Sequence, residues 1–149
     1  MNDEQFLALA IDQARIGISE GGIPIGAALV GADGTVLGVG HNRRVQEGSA
    51  IKHGETDALE NAGRLPASAY AGATMYTTLS PCDMCTGAIL LYGIPRVVLG
   101  ENRTFLGGED HLRARGVEVI NAESDECVRL MTDFIAAHPA LWNEDIGED

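Results

Sequence analysis

Basic charge is scarce in this sequence: 10 Lys plus Arg stand against 22 Asp plus Glu, a net charge of −12 over 149 residues. A surface of that sign repels a polyanion at long range and gains nothing from counterion release, so nucleic acid is not an expected partner and small, weakly charged ligands are. Long apolar runs are also missing. No stretch approaches the roughly 20 apolar residues that cross a bilayer, and the opening MNDEQFLALA has acids where a secretion signal has bases. These features point to a soluble cytoplasmic protein with no membrane partner. Cysteine is too sparse for a disulfide framework, with three residues, two of them only two positions apart. In a reducing compartment such a pair points to metal binding or redox chemistry. No Walker loop is present, nor a GxGxxG between a strand and a helix, so the 19 glycines form no phosphate cradle. Linkers, repeats and low-complexity tracts are absent, which predicts one domain over residues 1–149.

What is present reads as alternating helices and strands. Phe6, Leu9, Ala10, Ala14, Gly17 and Ile18 recur at helical spacing over residues 3–19, with Asp3 and Glu4 in the first turn and Gly21-Gly22 as the stop. Residues 25–31 and 35–40 are short β-prone runs flanking Asp33-Gly34, a dipeptide suited to a tight hairpin. Further helices are predicted over 53–62, 82–92, 109–115 and 125–137, and further strands over 75–79, 96–100 and 117–120. One hairpin followed by helical crossovers implies an α/β fold: a three-layer α/β/α sandwich around a central five-stranded mixed sheet.

The chemistry is concentrated in His53-Gly54-Glu55 and, beginning 28 residues after His53, Pro81-Cys82-Asp83-Met84-Cys85. Both pieces sit at predicted helix starts. Two thiolates on a first helical turn can share one zinc ion, with the positive helix end favouring the thiolate form, and His53 offers a third ligand. Three protein ligands leave a fourth position for water, whose pKa zinc lowers to about 7. Glu55, two residues beyond His53, is placed to carry that water's proton. A bare CxxC also serves structural zinc knuckles and redox pairs. A structural site needs a fourth ligand, however, and Cys127, His41, His111 and His138 lack paired spacing. Cys127 reads as a buried small hydrophobe.

H-x-E followed by P-C-x-x-C is the signature of zinc-dependent nucleobase deaminases. The chain resembles the fungal cytosine deaminases, within the cytidine/deoxycytidylate deaminase superfamily. The similarity runs through Gly40-His41-Asn42, His53-Gly54-Glu55, Thr77 to Ile89, Tyr92 to Arg96, Gly100-Glu101-Asn102 and Glu144 to Gly147. The zinc signature is shared with tRNA adenosine, guanine and cytidine deaminases, whereas the C-terminal Trp-x-Glu-Asp-Ile-Gly is more particular.

This resemblance implies one Zn2+ per chain on His53, Cys82 and Cys85, with Glu55 as the proton shuttle in hydrolytic deamination of a free nucleobase, cytosine first. It implies that Asn42 and the Gly54 amide bind the ring carbonyl. Asp145 and the Ser80 carbonyl would accept from the exocyclic amine. It also implies a homodimer, in keeping with the apolar run from Gly87 to Tyr92. Bland readings exist for each: Asn42 as a turn cap, Asp145 in a solvated acidic tail, Phe105 as ordinary packing. Trp142 and Ile146 are too apolar for a frayed end, so residues 142–149 are expected to fold back as a lid, with Trp142 and Phe105 over the ring. Removing that lid is expected to leave zinc bound. Asn143 departs from the fungal pattern, which has an aromatic residue there. An amide at the pocket mouth keeps isocytosine, guanine or another aminated heterocycle open as substrate. From a different class, a noncatalytic zinc-stabilised binding module is the alternative.

Overall fold

A capping box starts the first helix: the Asn2 side chain accepts from the Gln5 amide, and the Gln5 side chain from the Asn2 amide, both at 2.9 Å. Helix α1 (Asp3–Ser19) turns Phe6, Leu7, Ala10, Ile11, Ala14 and Gly17 inward. Strands β1 (Gly26–Val30) and β2 (Val36–His41) form the predicted antiparallel hairpin. Its turn places Gly34 at φ +85°, a conformation that glycine adopts without strain. The computed structural model describes all of residues 1–149 and continues through α2 (Arg44–Glu47), α3 (Gly54–Ala62), α4 (Ala67–Tyr70) and β3 (Thr74–Thr77). Then follow α5 (Asp83–Leu91), β4 (Arg96–Leu99), α6 (Glu109–Ala114), β5 (Glu118–Asn121), α7 (Asp125–Ala137) and α8 (Pro139–Asp145).

The five strands lie in the order β2-β1-β3-β4-β5. β1 pairs antiparallel with both β2 and β3, while β3, β4 and β5 run parallel. The sheet is therefore mixed, as predicted. One face packs Phe6, Leu7, Ala10 and Ile11 of α1 and Cys127 of α7 onto Ala28, Tyr76 and Val98. The other packs Ala58 of α3, Ile89 of α5 and Leu112 of α6 onto Leu29, Met75 and Val97. Side chains of successive strand residues point to opposite faces, so each strand feeds both cores.

Three differences from the sequence reading have physical causes. β3 stops at Thr77 because Thr78 turns to β1, donating its amide to the Gly26 carbonyl at 3.0 Å and accepting the Gly26 amide on its hydroxyl at 3.1 Å. The four-residue helices α2 and α4 are too short to carry a period. The C-terminal segment is helical as α8, begun by Pro139 in the first turn, where its missing N–H costs nothing. No helix is long and apolar enough to cross a membrane.

Candidate active site

Helix α3 approaches β2 closely because Gly38 and Gly40 face it. A side-chain carbon at Gly40 would lie 2.4 Å from the Ala58 nitrogen, and one at Gly38 would lie 2.5 Å from the Ala58 carbonyl oxygen. The same helix is tied to the end of β2 by buried Asp57, which accepts from the His41 amide and from Arg43 Nε, each at 3.0 Å. His53 is the N-cap of α3, its amide donating to Thr56 Oγ1 at 2.9 Å. Cys82 is the N-cap of α5, with Cys85 in its first turn. Two helix N-termini thus converge beside the carboxyl end of β3, where loops of an open parallel sheet gather ligands.

His53 Nδ1 lies 3.3 Å from Cys82 Sγ and 3.7 Å from Cys85 Sγ, and the three ligand atoms are all within 4.8 Å of one another. Zinc ligands at about 2.0–2.1 Å for nitrogen and about 2.3 Å for sulfur give tetrahedral nitrogen–sulfur edges of about 3.6 Å. The observed spacings straddle that value, so the three side chains fit one zinc ion. The electrostatics agree. The Cys85 thiol and then His53 outweigh burial and bring Cys82 down to about 4, which supplies a thiolate. The thiolate of Cys82 and burial push Cys85 well above the ordinary thiol value, because one thiolate disfavours a second until a cation joins them. Burial works against charge on His53, but Asp145 and Cys82 raise its pKa to about 10. Glu55 is 3 % exposed, and burial followed by the charge of Cys82 pushes its carboxyl up to about 7.

No fourth protein ligand joins the three. His41 is engaged on both ring nitrogens, by Gln13 at 3.0 Å and Glu20 at 2.8 Å. Cys127 is buried against α1, as the sequence suggests. Cys82 and Cys85 both face the same nitrogen of His53, an arrangement that suits a shared metal ion.

Beside the cluster is a small recess lined by Ile25, His53, Glu55, Ser80, Trp142 and Asp145, among others. Phe105 also lines it and meets Trp142 edge to face, ring centres 5.8 Å apart at 88°. The C-terminal segment is therefore docked, with Trp142 and Asp145 buried. Asp145 Oδ1 lies 3.2 Å from His53 Nε2 and accepts from Arg44 Nε at 2.9 Å, and Oδ2 accepts from Asn42 Nδ2 at 3.0 Å. The expectation that the tail is independent of the zinc ligands needs correcting, because Asp145 touches one of them. Asn42 meets the recess through Asp145, donating Nδ2 to its Oδ2, and Gly54 opens α3 between His53 and Glu55, which both line it. The Asn143 amide is directed at the Asp149 carbonyl, 3.5 Å away, and Asn143 lines no part of the recess. It therefore does not form the pocket mouth, and the expectation of an altered substrate loses its basis.

Three contributors are not evident in the sequence. Arg44 binds Glu144 and Asp145 with separate nitrogens, at 2.9 Å each. Glu101, fully buried, accepts from the amides of Arg103 and Thr104 at 2.7 and 2.9 Å and from the Thr104 hydroxyl, and so shapes the loop that carries Phe105. Glu109, also buried, accepts from Ser80 Oγ at 2.6 Å, and Ser80 Oγ in turn accepts from the Gly107 amide at 2.9 Å. The only sequence hint was the resemblance at Gly100-Glu101-Asn102.

Residues 1–101 match the family model described as the cytidine and deoxycytidylate deaminase zinc-binding region. A cytosine deaminase of Candida albicans is 60% identical over 147 residues, 99% of this chain and 98% of that protein. A tRNA-specific adenosine deaminase of Haemophilus influenzae is 35% identical over 142 residues, covering 89% of this chain and 82% of its own. Among solved structures, one from studies of A-to-I editing by tRNA:A34 deaminases superposes with a TM-score of 0.70 at 27% identity, over 85% of this chain and 99% of that one.

Proposed function

This chain belongs to the zinc-binding cytidine and deoxycytidylate deaminase family, and we propose that it deaminates free cytosine to uracil, releasing ammonia. The observation that carries the reading is the recess beside the zinc triad, small and lined by Trp142 and Ile146 together with the buried carboxylates of Glu55 and Asp145. The similarity to the Candida albicans cytosine deaminase extends through that segment. The net charge of −12 speaks against a tRNA stem loop as substrate.

Zinc held by His53, Cys82 and Cys85 supplies Lewis acidity that makes water a nucleophile at neutral pH. As the water oxygen bonds to the amino-bearing carbon, Glu55 moves one of the water's protons to the neighbouring ring nitrogen; it then moves the second proton from that oxygen to the amine, so that the C–N bond breaks, ammonia leaves and the ring carbonyl forms. Asp145 accepts from the exocyclic amine. A carboxylate has about four acceptor sites, and His53, Arg44 and Asn42 occupy three of them, which leaves one on Oδ2. The Ser80 carbonyl is the second acceptor for that amine. The Asn42 amide keeps one N–H beyond the one given to Asp145, and this, with the Gly54 amide, binds the ring carbonyl. Phe105 and Trp142 cover the ring and exclude water.

In this reading residues 1–149 act as one domain with 142–149 as its lid, in the cytoplasm. A homodimer forms through α5, whose Met84, Leu91 and Tyr92 are large apolar groups at the surface. Ammonia release from cytosine, isocytosine and guanine tests the substrate. Turnover of cytosine well above the other two is expected. Preference for isocytosine or guanine would reassign the substrate, and no turnover on any base would favour the noncatalytic zinc module.

A further inference from the structure

We propose that Arg44 is a positioning residue that couples closure of the C-terminal segment to retention of zinc, acting through Asp145 on His53. The inference rests on the reading that His53, Cys82 and Cys85 hold the metal. His53 offers Nδ1 to the two sulfurs, which leaves Nε2 to face Asp145 Oδ1 at 3.2 Å. A carboxylate on the second nitrogen of a metal-binding imidazole fixes the ring's tautomer and orientation, and losing such a partner typically costs about 10–100-fold in metal affinity. Here that carboxylate comes from the last turn of α8, a helix of only seven residues, and its position depends on what grips that turn.

Arg44 is built to do so. It opens α2, immediately after the Asn42-Arg43 loop, and it reaches across 101 positions of sequence. Its Nε donates to Asp145 Oδ1 and its Nη1 to Glu144 Oε1, each at 2.9 Å, so one planar fork grips two consecutive acids of α8. Its own amide donates to Asn42 Oδ1 at 2.9 Å, and Asn42 Nδ2 donates to Asp145 Oδ2 at 3.0 Å. Arg44 is thus a cation paired directly with the buried Asp145 carboxylate. Releasing the segment breaks both Arg44 bonds and removes the oxygen that orients His53, so an open lid and a weakened zinc site are one event.

The test is zinc transfer from the loaded protein to a chromogenic chelator, compared for the unaltered chain, Arg44→Gln, Arg44→Lys, Asp145→Ala and a control, Arg96→Gln. Arg96 forms the same kind of fork with Asp3, away from the zinc cluster, so its loss reports general destabilisation alone. Zinc affinity is expected to fall about 10–100-fold in Asp145→Ala and toward the lower end of that range in Arg44→Gln. Partial recovery is expected in Arg44→Lys, and no change in Arg96→Gln. Added salt should speed zinc loss from the unaltered chain more than from Arg44→Gln, an arm that holds even if one variant folds poorly. Equal affinities and equal salt responses in Arg44→Gln and the unaltered chain would overturn the coupling, as would an equal loss in Arg96→Gln. An unaltered chain that binds no zinc would instead overturn the metal assignment itself.

Discussion

Glu55 is the residue at which structure and chemistry separate most cleanly. Glutamine in its place keeps the volume and can still hydrogen bond, but it cannot carry a proton. The Glu55→Gln protein is expected to bind one zinc per chain and to lose about 10²–10⁴ in turnover of its base, checked by metal analysis alongside ammonia release. Loss of zinc instead would make Glu55 a ligand. His53, Cys82, Cys85 and Glu55 were legible because their residue types and spacing carry the chemistry directly. Arg44, Glu101 and Glu109 were not, since a charged residue in a loop or at the start of a short helix ordinarily points to solvent. Their burial arises only when chain segments far apart in sequence meet: Arg44 with Asp145, and Ser80 with Glu109.

At the scale of the elements, the site's precision rests on how closely α3 lies on β2. Gly40→Ala would place a carbon within 2.4 Å of the Ala58 nitrogen and 2.7 Å of the Asp57 carbonyl carbon, both backbone atoms that cannot move without shifting the helix. Destabilisation of about 1–3 kcal/mol is expected in a denaturant titration, with weaker zinc binding, because His53 caps the displaced helix. A Gly40→Ala protein of unchanged stability would mean that α3 is free to adjust.

Helix α1 is held at its start by Asp3, which takes both Arg96 guanidinium nitrogens and the Tyr76 hydroxyl. Chiefly through Arg96, the Asp3 carboxyl falls from its ordinary 3.8 to about 2. A folded-state value below the unfolded one gives stability that is present above about pH 4 and is lost as pH falls toward 2. Asp3→Asn should therefore be less stable at pH 7, by about 1 kcal/mol or less given the exposure of the pair, and equal to the parent near pH 2. A difference that persists at pH 2 would assign the contribution to packing. The long elements were legible because α1 and α7 each carry a full amphipathic period. α8 was not, because seven residues beginning with a proline show no period, and what makes them ordered is the docking of Trp142 and Asp145.

For the molecule as a whole, the acidic charge and the zinc site are consistent with a small, weakly charged substrate. The sandwich brings two helix N-termini beside the carboxyl end of the central strand β3, and Trp142, Asp145 and Ile146 line the recess there. The sequence carried the fold class and the triad because periodicity and ligand spacing are local patterns. It could not carry the coupling of tail to triad, which exists only after residues 42–44, 53 and 145 are brought together by folding.

X-ray absorption at the zinc edge of the loaded protein tests the central claim most directly. Two sulfur ligands at about 2.3 Å and two nitrogen or oxygen ligands at about 2.0–2.1 Å are expected, with His53 supplying one of the light atoms and solvent the other. Three or four sulfurs, or a fourth ligand traced to a second side chain, would mean a closed structural site and would contradict the account.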